Sequence, residues 1–151
     1  MADLNLKVQV DCLSAAAVRV LIAEDFPPFR QFVRSMLAER SDLRIIEEVS
    51  DGVEAVQKAA ELKPDLILLD IGLPRMNGIE AARRIRALVP ESKIIFLSQE
   101  SSADVIEEAL NTGARGYVVK TQAESQLLAT IHAAISNAVR LHPPALPRVV
   151  H

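Results

Sequence analysis

The 151 residues include no tryptophan, one tyrosine and four phenylalanines, so aromatic residues make up only 3% of the chain. So few rings exclude the stacking platforms on which single-stranded nucleic acid is held. There is a single cysteine, Cys12, which excludes an internal disulfide; standing in a loose N-terminal segment, it reads as an inert thiol. No apolar run approaches the roughly 20 residues of a membrane span. The opening MADLNLKVQVDCLSAAA carries acids where a secretory signal has a basic start. The expectation is a cytoplasmic protein with no membrane association. Positive charge is not in excess either: the net charge is −3 and the basic residues are dispersed. This chain alone is therefore not expected to bind nucleic acid.

What the chain does have is a regular alternation of short apolar runs with longer segments of helical period. Its length suits one domain with a single core. The predicted strands are VRVLIA (18–23), RIIEEV (44–49), DLILL (65–69), KIIFL (93–97) and GYVV (116–119). Continuous runs such as LILL and IIFL suit strands covered on both faces, and the mixed RIIEEV suits an edge. Between them, Phe29, Phe32, Val33, Met36 and Leu37 form one stripe of a first helix after Pro27 and Pro28. Asp51 and Glu54 resemble a capping box that opens a second helix through Val53, Val56 and Ala60. Ile79, Ala82, Ile85 and Leu88 mark a third. Ile106, Ala109 and Leu110 mark a fourth, closed by Gly113, and Leu128, Ile131, Ile135 and Ala138 a fifth. Strands and helices in strict alternation, joined by right-handed crossovers, make a doubly wound α/β sandwich the most economical topology. Residues 1–17 form an extension, 18–139 the domain, and 140–151 a proline-rich tail or linker that stops the fifth helix near Arg140.

In a parallel sheet the C-terminal strand ends share one edge, where ligands bind. Glu24 and Asp25 follow the first strand, Asp70 the third, Ser98 the fourth and Lys120 the fifth. Singly, each has an ordinary reading: a strand-end Asp forms turns or caps helices, and serines and lysines are common at surfaces. Jointly, they gather three carboxylates, a hydroxyl and an ammonium into one pocket. Carboxylates so close repel unless a cation sits among them, and a hard ion such as Mg2+ prefers oxygen ligands. Asp70 is then placed to attack an electrophilic phosphorus, with Lys120 and Ser98 donating to the phosphoryl oxygens.

These residues, in AEDFPPFR, LILLDIGLPRMNGIEAARRIR, IIFLS and GARGYVVK, resemble the receiver domain of two-component response regulators over roughly 18–139. LDIGLPRMNG and GARGYVVK are similar in style to LuxR-type regulators with a helix-turn-helix output, and RLHPPALPRVV resembles the linker before it. The resemblance implies a flavodoxin-like sheet of order 2-1-3-4-5 with five helices. It also implies roles. Asp70 accepts phosphate from a sensor histidine kinase or phosphotransfer protein; Asp25 and Asp70 bind Mg2+ directly, Glu24 does so through water, and the Gly72 carbonyl completes the protein ligands. Ser98 and Lys120 hold the phosphoryl oxygens, and Ser98 with Tyr117 forms the switch. The changed surface comprises helix four, strand five and helix five, through which a homodimer is also suggested. Gln31, Arg34 and Ser35 are docking candidates for the kinase. Such a protein catalyses only its own phosphorylation and dephosphorylation. Two rival readings are a receiver-like interaction module that is never phosphorylated and a haloacid-dehalogenase-like phosphatase. The phosphatase normally has a second Asp two residues after the nucleophile, where this chain has Gly72.

Overall fold

The computed structural model describes residues 17–136. Within that span each apolar run becomes a strand: β1 (Val18–Ala23), β2 (Leu43–Val49), β3 (Leu66–Asp70), β4 (Lys93–Ser98) and β5 (Gly116–Val119). All neighbours pair in parallel, in the order β2-β1-β3-β4-β5. This is the flavodoxin-like order, with the reversal of strand progression between β1 and β3. The central strand β3 is buried along its whole length, whereas four consecutive residues of the edge strand β2 are only half-buried.

Five α-helices cross between the strands: α1 (Pro27–Ala38), α2 (Gly52–Leu62), α3 (Gly78–Leu88), α4 (Ala103–Leu110) and α5 (Ala123–Ile135). A 3-10 turn, Lys120–Gln122, leads into α5. Local chemistry starts the helices. Two prolines open α1, where a missing N–H costs nothing. Side-chain oxygens of Asp51, Asn77 and Ser102 accept from backbone amides in the first turns of α2, α3 and α4.

The alternation of side chains along each strand divides the core into two layers. Leu21, Ile67, Leu69, Ile94 and Phe96 pack under α2, α3 and α4; Val20, Ile22, Leu66, Leu68, Ile95 and Leu97 pack under α1 and α5.

Helix facing differs from the predicted stripes in three places. On α2 the fully buried residues are Ala55 and Ala59, while Val53 and Val56 are half-buried and Ala60 is exposed. Small residues face the sheet there because α2 packs closely on α3, so size complementarity overrides hydrophobic rank. On α5 the buried row is Ala123, Leu127, Ile131 and Ala134, with Leu128 and Ile135 flanking it. Leu88 is 57% exposed, and its neighbour Val89, just past the helix, is buried instead. The fifth helix also ends at Ile135, earlier than the expected stop near Arg140. Ser136 adopts an extended conformation, in keeping with a residue whose hydroxyl competes with helical hydrogen bonds. The expectations for Cys12, the N-terminal extension, Ala138 and the proline-rich tail lie outside the described residues.

Candidate functional site

The strand ends converge as expected. Glu24 immediately follows β1, and its amide still donates to Val49 O at 3.0 Å, continuing the sheet by one residue. That continuation buries Glu24 completely and turns the next residue, Asp25, outward. Asp70 is the last residue of β3 and is 5% exposed. Ligand oxygens of Glu24, Asp25 and Asp70 all lie within 4.8 Å of one another.

One cation pairs with two of these carboxylates. Lys120, the first residue of the 3-10 turn after β5, places Nζ 2.9 Å from Glu24 Oε1 and 3.3 Å from Asp70 Oδ2. Its ammonium also lies 4.8 Å from the ring centroid of Phe29 on α1, a cation–π contact that helps to aim it. Glu24 Oε2 accepts from the Phe26 amide at 3.0 Å. Glu24 Oε1 is different: Lys120 is near, but the contact is an ion pair without hydrogen-bond alignment. Among the described residues it is the buried side-chain oxygen left without a hydrogen bond. Burial pushes the Glu24 carboxyl above its ordinary pKa, with the Asp70 charge adding to the rise and Lys120 and the Phe26 amide opposing it.

The remaining candidates surround Asp70. Its Oδ1 accepts from the Gly72 amide at 3.1 Å. Ser98, at the end of β4, is buried, and its Oγ accepts from the Glu100 amide at 3.0 Å. Tyr117 is 7% exposed, and its hydroxyl donates to the Glu100 carbonyl at 2.8 Å. Burial raises the Tyr117 pKa. One residue, Glu100, thus accepts from the tyrosine through its carbonyl and donates to the serine through its amide. Asp25, Asp70, Gly72, Ser98 and Lys120 line a single open cleft of about 440 Å3.

Glu24 and Tyr117 do not line the cleft; the Tyr117 hydroxyl contacts Glu100, which does. Gln31 and Ser35 are exposed on α1, but Arg34 is held by two hydrogen bonds to Glu48 on β2, at 2.9 and 2.6 Å. Sequence reasoning missed Phe29 as a neighbour of Lys120, because a helical stripe of apolar residues signals core and nothing more. It also missed the Glu100 peptide, since a backbone contact leaves no trace in residue type.

The family profile described as the response regulator receiver domain matches residues 20–132. The chain belongs to that family. Response regulators are signalling proteins, not enzymes of metabolism. This receiver domain is 30% identical over 128 residues to the nitrate/nitrite response regulator protein NarL of Escherichia coli strain K12, a match covering 85% of the chain and 59% of NarL. It is 32% identical over 133 residues to the transcriptional regulatory protein LiaR of Bacillus subtilis strain 168, covering 88% of the chain and 63% of LiaR. The chain therefore spans somewhat under two thirds of the length of these curated relatives. Among solved structures, a LuxR-family two-component response regulator from Aurantimonas sp. SI85-9A1 superposes with a TM-score of 0.74. That match has 29% identity and covers 78% of this chain and 84% of that one. Among the described residues, no helix of this receiver domain is long and apolar enough to cross a membrane.

Proposed function

We propose that this receiver domain is a phosphorylation-dependent switch in which Asp70 accepts a phosphoryl group from a phosphohistidine on a sensor histidine kinase or phosphotransfer protein. The observation that carries this reading is the setting of Asp70. It ends a fully buried strand, opens onto the cleft, and has an ammonium 3.3 Å from one oxygen.

The acidic cluster fits a hard divalent cation. It offers only oxygen donors, clustered within 4.8 Å, with one buried oxygen lacking a hydrogen bond. Asp25, Asp70 and the Gly72 carbonyl would hold Mg2+ directly, and Glu24 would do so through water. Once bound, the ion supplies charge neutralisation for the carboxylates and the incoming phosphoryl oxygens.

The chain's own residues do the rest. An Asp70 carboxylate oxygen forms a bond to phosphorus as the donor's P–N bond breaks, its electron pair returning to the imidazole nitrogen. Lys120 and the Ser98 hydroxyl donate to the phosphoryl oxygens, and later attack of water on phosphorus restores Asp70. When Ser98 turns to the phosphoryl group it releases the Glu100 amide. That change reaches Tyr117 through the Glu100 carbonyl, and through Tyr117 the surface of α4, β5 and α5. The same surface is the proposed homodimer contact. The names of the relatives support reading the chain as the receiver part of a transcriptional regulator.

Intact-mass measurement after incubation with acetyl phosphate and Mg2+ tests the reading. Wild type is expected to gain one phosphoryl group, dependent on Mg2+, and Asp70→Asn to gain none. Equal labelling of both would overturn the assignment of Asp70.

A further inference from the structure

The loop between β3 and α3, residues 71–77, contains Gly72 and is held in a strained form. Arg75 has φ of +69°, and the Met76 amide donates to the Pro74 carbonyl at 2.7 Å. A three-residue turn closed in this way around a positive φ is the rare γ-turn, and for a residue with a Cβ the conformation is costly. Such geometry persists where the surroundings impose it.

The start of α2 imposes it. The Gly52 amide donates at 3.1 Å to the same Pro74 oxygen that closes the turn. A Cβ at Gly52 would lie 1.8 Å from the Met76 carbonyl oxygen, so only glycine allows the loop to sit there. Beside it, Arg75 Nη1 lies 3.1 Å from Asp51 Oδ2, while Asp51 Oδ1 accepts from the Glu54 amide at 2.8 Å and caps α2. The Asp51 side chain is 12% exposed and that of Arg75 is 62% exposed, so a largely buried carboxylate anchors an exposed arm. Toward the site, the Gly78 amide donates to the Ile71 carbonyl at 2.7 Å, closing the loop over the end of β3.

We infer that Asp51 and Arg75 are positioning residues for the phosphoacceptor site: by pinning the strained turn to α2 they fix the backbone from which Gly72 reaches Asp70. An ion pair this exposed adds little to stability by itself; its effect is on where the loop stands. The inference rests on the reading of the cleft as a Mg2+-dependent phosphoacceptor site.

The test titrates MgCl2 into the full chain by calorimetry, with thermal melts and acetyl phosphate labelling alongside, in Asp51→Asn, Arg75→Ala and Arg75→Gly. Asn caps a helix as well as Asp, so Asp51→Asn removes the pair and keeps α2. Arg75→Gly removes the pair and relieves the strain. Each variant is expected to weaken Mg2+ binding several-fold, with labelling needing correspondingly more Mg2+. Combining Asp51→Asn with Arg75→Ala is expected to add nothing beyond Arg75→Ala alone. The decisive result is a split in Arg75→Gly: a Tm at or above that of wild type together with weakened Mg2+ binding. Mg2+ affinity unchanged in all three variants, or following Tm in each, would overturn the inference while leaving Asp70 as phosphoacceptor. Wild type that neither binds Mg2+ nor gains mass would instead overturn the reading of the site beneath it.

Discussion

The two edges of the sheet treat their polar residues in opposite ways. Where the strands begin, Arg19, Asp65 and Ser92 are matched within the chain. The Arg19 amide donates to Asp65 Oδ2 at 2.9 Å, and its guanidinium donates to the Leu62 and Lys63 carbonyls at 2.8 and 2.9 Å, covering the end of α2. Ser92 Oγ donates to the Pro64 carbonyl at 2.5 Å, and the Asp65 carbonyl accepts from the Lys93 amide at 3.0 Å. Where the strands end, three carboxylates cluster, one ammonium pairs with two of them, and a completely buried glutamate keeps an oxygen without a hydrogen bond. The first edge is arranged for folding alone. The second gathers more negative charge than its one ammonium offsets, which is what the proposed Mg2+ site requires.

That contrast can be broken most severely at Lys120. Replacing it by methionine leaves two buried carboxylates without their cation, and removing one partner of a buried ion pair costs about 3–5 kcal/mol. Because the Lys120 side chain keeps some exposure, the expected loss is about 3 kcal/mol, measured by urea denaturation without Mg2+. A second substitution, Glu24→Gln, should recover part of it.

At the opposite edge, Arg19→Ala removes two hydrogen bonds to the end of α2 and should cost about 1–2 kcal/mol. Phosphorylation of Asp70 should be unchanged, because nothing in the cleft depends on Arg19. A matching loss of labelling would mean that the two edges are not independent.

The smallest effect has the opposite sign. With its pKa raised chiefly by burial, Glu24 holds a proton more tightly in the folded chain than in the unfolded one. Its ionisation therefore opposes folding, a penalty absent below the ordinary carboxylate pKa and growing as pH rises through the raised value. Glu24→Gln alone should melt above wild type at neutral pH without Mg2+. The gain should vanish on acidification below the ordinary carboxylate range, as thermal melts across pH would report.

Much of this was legible in the sequence because strands covered on both faces leave continuous apolar runs. VRVLIA and GYVV match β1 and β5 residue for residue, RIIEEV and KIIFL miss one terminal residue each, and DLILL is offset by one residue from β3. The strand-end polar residues were legible for the same reason: once the runs are placed, topology alone collects Glu24, Asp25, Asp70, Ser98 and Lys120. Helix facing was less so. Ala55 and Ala59 are buried by the close approach of α2 and α3, and no periodicity of large residues records it. The strained turn at Arg75 was invisible as well. Arginine carries no signal for positive φ, and its cause, the missing side chain of Gly52, lies 23 residues away in sequence.

Gly72 differs from the glycines around it. A Cβ at Gly78 would lie 2.1 Å from the Asp70 carbonyl oxygen, and one at Gly52 would overlap Met76, whereas a Cβ at Gly72 would meet nothing within 4 Å. Positions 52 and 78 are thus closed to a side chain, while position 72 has room for a Cβ without rebuilding the loop. Beside the proposed phosphoacceptor, then, lies a position where a single substitution can alter the chemistry next to Asp70 while the backbone around it stays as it is.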